Sequence, residues 1–213
     1  DLGTAGVILV IVMSLVFVAG LPKQFMMRFV ALIGAGLLVA AAISPNRMAR
    51  IFAFLIPSSA QNDLNWQVQH GTWALASGGV TGTGLGQAKL NWGWIPEVEN
   101  DFIFAVIGEE WGLIGAIVVL VLFFVLFNKM KAVAIRNVDP FASLVTWGIT
   151  LWIVLQALIN IAVVLGLMPV LGVPLPLISK GGSSLVALMI GLGMVLAFER
   201  NRQPESVSRR SRR

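Results

Sequence analysis

The chain has no cysteine, no tyrosine, a single histidine and few charges for its 213 residues. Without cysteine there is neither a disulfide framework nor a thiolate metal site, and the redox compartment leaves no mark. His70 has no histidine with which to share a metal or a proton, so a positional or interfacial role is the economical reading. Charged residues make up 12% of the chain, against about a quarter in a soluble domain. The deficit is matched by 57% hydrophobic residues and a mean hydropathy of +0.88. The chain is read as an all-α integral membrane protein, with room for several helices of roughly 20 residues. No basic segment precedes the first apolar run, so that run is not a signal peptide. The start at Asp1, without an initiator Met, suggests a piece of a longer protein.

About five transmembrane helices are predicted, over 4–21, 26–44, 102–127, 141–168 and 184–198. They form one unit over 1–199, followed by a basic tail over 200–213. The net charge of +5 sits beside these spans and in the tail, which is the pattern of membrane orientation rather than of nucleic-acid binding. Lys23, Arg28, Lys129, Lys131, Arg136 and the arginines from Arg200 onward fall on one side, eleven basic residues in all. Arg47, Arg50, Lys89 and Lys180 fall on the other. The positive-inside rule puts the tail in the cytoplasm. The 45–101 segment and the 169–183 loop then face outward together.

The long outward segment has helical patches. Met48, Ile51, Phe52 and Leu55 follow i, i+3, i+4, i+7 and predict a short interfacial helix. A second helix is expected over 64–76, with Trp66, Gln69, His70 and Trp73 on one face and Ser77-Gly78-Gly79 at its end. Trp92, Trp94 and Trp111 add aromatic residues of the kind found at headgroup level. In the later loop, Pro169, Pro174 and Pro176 forbid a continuous helix. Irregular backbone at membrane depth survives only inside protein or along a cavity, so this loop is expected to pack over the bundle mouth.

Where the long segment meets the third span, the chain reads NDFIFAVIGEE, Asn100 to Glu110. Asp101 has two readings: a helix N-terminal acid favoured by the dipole, or a partly desolvated carboxylate serving as general base. The first does not explain why Glu97, Glu99, Glu109 and Glu110 gather around it. Glu109 and Glu110 lie about 12 Å further along a helix and suit bonding inside the bundle. Gly108, Gly112 and Gly115 suit close helix packing. Lys180-Gly181-Gly182-Ser183-Ser184 reads either as a serine N-cap or as an anion site at a helix N-terminus. Gln156 and Asn160, at i and i+4, are expected to bond across helices. The glycine run from Gly78 to Gly86 follows a helix rather than a strand and is no dinucleotide fingerprint.

These segments resemble the SEDS family (shape, elongation, division and sporulation), to which FtsW, RodA and SpoVE belong. The matching motifs are Asp1-Leu2-Gly3-Thr4, the pair Arg47 and Arg50, Trp66-Gln67, Gly84-Leu85-Gly86, Ile95-Pro96-Glu97, Asn100–Glu110, Gln156–Asn160 and PVLGVPLPLISKGGSS from Pro169 to Ser184. The resemblance covers nearly all of the chain except the tail. It implies the C-terminal half of a fold of about ten spans. Two positions depart from the pattern. Lys180 stands where the family usually has tyrosine, and Asn91 where it has lysine, with Lys89 two positions earlier.

The resemblance implies a peptidoglycan glycosyltransferase that polymerises lipid II at the outer face of the bacterial cytoplasmic membrane. The anomeric carbon is inverted and undecaprenyl pyrophosphate leaves. Asp101 matches the family's essential aspartate. Arg47, Arg50, Lys89, Glu97, Lys180, Gly181, Gly182 and Ser183 become substrate-binding candidates, and Glu109, Glu110, Gln156 and Asn160 supporting ones. No metal ligand set is read from the chain; a divalent cation (Mg or Mn) would assist, and no organic cofactor is implied. The implied partners are lipid II, a class B penicillin-binding transpeptidase and other divisome or elongasome membrane proteins, without nucleic acid. The Trp-Ile-Pro-Glu-x-x-Asn-Asp wording and the basic tail lean toward division (FtsW-like) over elongation (RodA-like). A transporter of lipid-linked precursor and a non-enzymatic division scaffold are the alternatives.

Overall fold

The computed structural model describes residues 2–20, 22–43, 48, 62–88 and 98–201. Among them there are helices and connecting turns but no strand. The helices are α1 (Leu2–Val18), α2 (Lys23–Ala42), α3 (Asn62–Gly78), α4 (Val98–Asp101), α5 (Ile103–Arg136), α6 (Pro140–Val164) and α7 (Gly182–Arg200). Helices α5, α6 and α7 are long and apolar enough to cross a membrane, and shorter apolar runs over Ala5–Val18 and Met27–Gly36 lie in α1 and α2. The fold is that of an all-α integral membrane protein. Helix α5 continues to Arg136, past the expected end at 127. Straight, its 34 residues would measure about 51 Å against a hydrocarbon core of about 30 Å. The predicted interfacial helix around Met48–Leu55 lies outside the described residues, Met48 apart.

Short connections make neighbouring helices antiparallel and sort the charges by end. Helices α5 and α6 are joined through 137–139, where the Asp139 carboxylate accepts from the Phe141 and Ala142 amides and Pro140 takes the first turn. Ser143 Oγ donates to the Ala134 carbonyl at 2.8 Å, closing the same corner. Phe198 of α7 meets Phe141 edge-on at 6.5 Å. Gly148 faces the Leu15 side chain near the end of α1. Lys129, Lys131, Arg136 and Arg200 therefore gather at one end of the bundle, with the α1–α2 turn and its Lys23 on the same side. Asp101 and Lys180 lie at the opposite end.

Helix α3 docks on the first part of α5 through small residues. Gly71, Ala74 and Gly78 are buried, and the Phe102 ring lies against Gly71. At Gly78 the two backbones nearly touch, so an added Cβ would overlap the Gly108 carbonyl. Trp73, on the aromatic face expected from the sequence, is instead 61% exposed. Glycine-to-glycine contact lets two backbones approach where side chains would hold them apart.

Gly112 is not a packing glycine of the kind expected. It breaks α5, with φ 66 and ψ −159. The segment after Gly78 is spliced into this break. The Glu109 and Glu110 carbonyls accept from the Thr83 and Gly84 amides at 2.9 and 3.1 Å. On the other side, the Leu113 and Ile114 amides donate to the Gly79 and Val80 carbonyls at 2.9 and 3.3 Å. Four backbone groups freed by the kink thus find partners in one strap, as burial away from water demands. Before the break α5 is buried, with Phe104, Ala105, Val106 and Glu109 at most 6% exposed. Beyond it, Leu113, Ile114, Ile117, Val118 and Leu122 present an open apolar face suited to lipid.

Helix α6 ends in a Schellman turn. The Leu167 amide bonds the Ala162 carbonyl and the Gly166 amide bonds that of Val163, with Gly166 at φ 71. Pro169 then keeps the chain out of a helix.

Gly78→Ala should destabilise the folded membrane protein by about 1–3 kcal/mol through overpacking, read as a lowered thermal midpoint in detergent. Gly193→Ala, inside α7 where a Cβ meets nothing within 4 Å, should not lower the midpoint, since alanine favours a helix over glycine. Gly112→Ala places a side chain at φ 66, ψ −159, a region essentially reserved for glycine and costing about 1–3 kcal/mol, and drives it against Val80 and Gly82. Hydrogen exchange of the Leu113 and Ile114 amides should accelerate in that variant.

Candidate functional site

The NDFIFAVIGEE segment folds as two helices rather than one. Asp101 ends the short helix α4, and Phe102 (φ −113, ψ 17) separates it from α5 without capping it by a side chain. Asp101 is therefore not in the first turn of the long helix, as expected, but at a bend just before it. Phe102 is 1% exposed and anchors the bend in an apolar cluster with Ala74, Phe104, Ala105, Ile161, Val164 and Leu175. Asp101 itself is half-buried, and it takes part in polar contacts.

The bend leaves backbone carbonyls without helical partners, and side chains from elsewhere take them. Asn160 Nδ2 of α6 donates to the Asp101 carbonyl at 2.8 Å and to the Val173 carbonyl at 2.7 Å. Ser179 Oγ donates to the Asn100 carbonyl at 2.5 Å and accepts from the Leu175 amide at 2.7 Å. One turn before Asn160, Gln156 Nε2 donates to the Pro174 carbonyl at 3.0 Å. Gln156 and Asn160 were expected to reach other helices. Asn160 does so at Asp101 of α4, and both residues also serve the irregular loop backbone, at Val173 and Pro174, because that backbone lacks partners inside the bundle. The proline-glycine loop does pack over this end: Val173, Leu175 and Pro176 are buried.

Ser179 carries no signal in the sequence, where it is one hydroxyl in an apolar loop. Its bonds close a turn with the Ser179 amide on the Leu175 carbonyl at 3.0 Å. Inside that turn Leu177 has φ 66, a positive value for a non-glycine residue. The strain is held by the bonds on either side and by packing of Leu177 against the cluster of Met130, Ile153 and Leu188.

Helix α7 starts at Gly182, with Gly181 as its cap residue in an extended conformation (φ −150, ψ 97). No side chain caps it, so the expected serine N-cap is absent; Ser183 already lies inside the first turn. Lys180, Gly182 and Ser183 are exposed and Gly181 half-buried. The arrangement offers backbone N–H groups and a cation at a helix N-terminus. Lys180 also takes part in polar contacts.

Glu109 and Glu110 stand at the strap. Glu109 is 2% exposed, and Ser77 Oγ reaches its Oε1 at 3.5 Å. Its carbonyl also accepts from Thr83 Oγ1 at 3.0 Å. Glu110 Oε1 accepts from the Gly86 amide at 3.1 Å. The glycine-rich run from Gly78 to Gly86 is thus a partner of the two glutamates. Thr83 does not stand out in the sequence, and Ser77 does so only as a helix end, since the signal lies in α5 being broken. His70 packs on Trp73 with ring centroids 4.9 Å apart. Arg47, Arg50, Lys89 and Glu97 lie outside the described residues, as do Trp92 and Trp94.

Comparison with known proteins fits this architecture. Residues 1–204 match the FtsW/RodA/SpoVE family of cell cycle proteins. The probable peptidoglycan glycosyltransferase FtsW of Mycobacterium tuberculosis is 39% identical over 208 residues, covering 98% of this chain and 40% of that protein. Stage V sporulation protein E of Bacillus subtilis is 38% identical over 201 residues, covering 94% of this chain and 55% of that protein. A solved peptidoglycan synthase complex, described as coordinating polymerization and crosslinking, contains a chain that superposes with a TM-score of 0.72 at 33% identity, over 95% of this chain and 56% of that one. The rod shape determining protein RodA of Thermus thermophilus superposes with a TM-score of 0.60 at 29% identity, over 96% of this chain and 51% of that one. The chain thus spans about half the length of the curated relatives it matches. By sequence and by fold, the chain belongs to the FtsW/RodA/SpoVE family.

Proposed function

We propose that the protein to which this chain belongs is a peptidoglycan glycosyltransferase that polymerises lipid II, with Asp101 as its proton-transfer group. The observation that carries the reading is the setting of Asp101: a half-buried carboxylate on a bend, opposite the basic end of the bundle and next to the loop that carries Lys180. A general base must be partly desolvated yet reachable, and this position meets both needs. Orientation follows the positive-inside rule, with the tail cytoplasmic and the Asp101 end outward.

In the proposed reaction, the acceptor's GlcNAc 4-hydroxyl approaches the donor's MurNAc anomeric carbon. Asp101 accepts the hydroxyl proton as the C–O bond forms, and the bond to undecaprenyl pyrophosphate breaks with inversion. Charge then develops on the leaving pyrophosphate. Lys180 and the first amides of α7, at Gly181 and Gly182, supply positive potential for it. Arg47, Arg50, Lys89, Glu97 and Ser183 remain substrate-binding candidates. Among the described residues, no three His, Asp or Glu side chains group closely enough to cage a metal ion. A Mg or Mn ion is proposed only as a companion of the pyrophosphate oxygens.

A class B penicillin-binding transpeptidase is the proposed partner. Support comes from the structural neighbour, whose complex couples polymerization to crosslinking. A division role is favoured over elongation by the FtsW relatives. A lipid-precursor transporter is the second reading, favoured by the broken helix α5.

Supplied with lipid II, the full-length protein and its transpeptidase should form glycan strands. Asp101→Asn should lower kcat by about 10²–10⁴-fold while the protein still folds and binds its partner. Polymerisation by that variant at the wild-type rate would remove Asp101 from the chemistry, and flipping without polymerisation would favour the transporter. Lys180→Ala should reduce kcat by about 10–100-fold, the worth of one hydrogen bond to a charged group. Lys180→Arg should retain most of the activity, as followed by glycan length on gels.

A further inference from the structure

Resting on the assignment of Asp101, we infer that Ser179 and Asn160 are positioning residues that clamp the carboxylate's backbone to the Lys180 loop. Helix α4 has four residues, and the bend at Phe102 removes the next turn that would have bonded its last carbonyls. Its position is set from outside. Ser179 takes the Asn100 carbonyl and Asn160 takes the Asp101 carbonyl. The two side chains come from different segments, one from the loop and one from α6.

The chemistry of each group fixes its direction. A hydroxyl has one proton. Ser179 Oγ accepts from the Leu175 amide, so its proton goes to the Asn100 carbonyl. A primary amide has two N–H bonds. Asn160 places its Nδ2 on two carbonyls, those of Asp101 and Val173. The reversed amide would set its oxygen against both of them. Each residue therefore ties the backbone under Asp101 to the backbone of the 173–179 loop. That loop leads directly into Lys180 and the α7 N-terminus. The distance between the proton acceptor and the leaving-group site is fixed through two short bridges. Displacing a reacting group by about 1 Å can cost 10²-fold in rate.

Gln156 provides a control within the same architecture. It lies one turn from Asn160, and its side-chain amide holds the same loop at Pro174 rather than the backbone of α4. A residue that merely stabilises the loop should behave like Gln156. A clamp on Asp101 should behave differently.

The test uses the full-length protein with its transpeptidase partner and lipid II, with kcat and KM measured separately. Thermal midpoints and partner co-purification report folding. Ser179→Ala and Asn160→Asp should each lower kcat by about 10–100-fold, with KM held within about threefold. Ser179→Thr, which keeps a hydroxyl, should recover most of the rate, and Gln156→Leu should lower kcat by less than about threefold. If Asn160→Asp fails to fold, the alanine and threonine variants at Ser179 decide the matter alone. An inactive Asp101→Asn beside wild-type kcat in Ser179→Ala overturns the clamp and leaves the base assignment standing. The clamp is equally overturned if the Ser179→Ala loss lies wholly in KM, or if threonine restores nothing. Wild-type kcat in Asp101→Asn overturns both.

Discussion

Inside a bilayer no water is at hand to satisfy a backbone amide or carbonyl, so each one must find a partner in the protein. Most of this chain meets the demand by being helical. Among the described residues, two stretches that do not are the break at Gly112 and the loop from Pro169 to Gly181, and much that is specific about the fold follows from how they are satisfied. At Gly112 the partners are other backbone groups, supplied by the strap from Gly79 to Gly84. In the loop they are side chains: Gln156, Asn160 and Ser179. Asp101 sits where the second solution also reaches into α4.

The two solutions differ in what they allow. A backbone splice depends on glycine, because Gly82 and Gly112 adopt positive φ and have no room for a Cβ. It fixes the path of α3 and the buried part of α5, and it gives Glu109 and Glu110 neighbours from the glycine-rich run. Side-chain bonds to carbonyls ask less of the backbone. They let the proline-rich loop keep an irregular course with Leu177 strained at its centre, while the Val173 and Pro174 carbonyls and the Leu175 amide are paired. Irregular backbone can then stay close to the bundle, which is what the proposed reaction at Asp101 beside the Lys180 turn requires.

Much of this was legible in the sequence because hydropathy is additive along the chain. The spans behind α5, α6 and α7, and the end of α3 at Ser77-Gly78-Gly79, follow from local composition. The packing of the Pro/Gly loop over the bundle mouth followed from the need to pair its backbone. The break in α5 was not legible. Gly108, Gly112 and Gly115 look alike in an apolar run, and only the strap, some thirty residues earlier in the chain, makes one of them a kink. Ser179 escaped for a similar reason. A hydroxyl between Ile178 and Lys180 has no local pattern, and its worth comes from a carbonyl at Asn100 far back in sequence. Gln156 and Asn160 were legible as bonding groups, and Asn160 reaches another helix at Asp101, but their loop partners at Pro174 and Val173 were not legible, since a helix was the only neighbour that periodicity could suggest.

The acids of NDFIFAVIGEE can now be separated by the kind of backbone that carries them. Glu109 and Glu110 lie just before the break, where their carbonyls are engaged with the strap and their carboxylates with Ser77 Oγ and the Gly86 amide. Moving either would disturb a splice that the fold needs, so both suit a fixed role. Asp101 lies on a bend whose carbonyls are tied down by the side chains of Asn160 and Ser179, so that the backbone under it is held from outside. Rigidity supplied from the main chain lets a side chain change its proton count without unfolding its surroundings. That separation of holding from reacting is the reason the proposed reaction is placed at Asp101, and not at the deeply buried Glu109 or at Glu110, whose carboxylate accepts from the Gly86 amide.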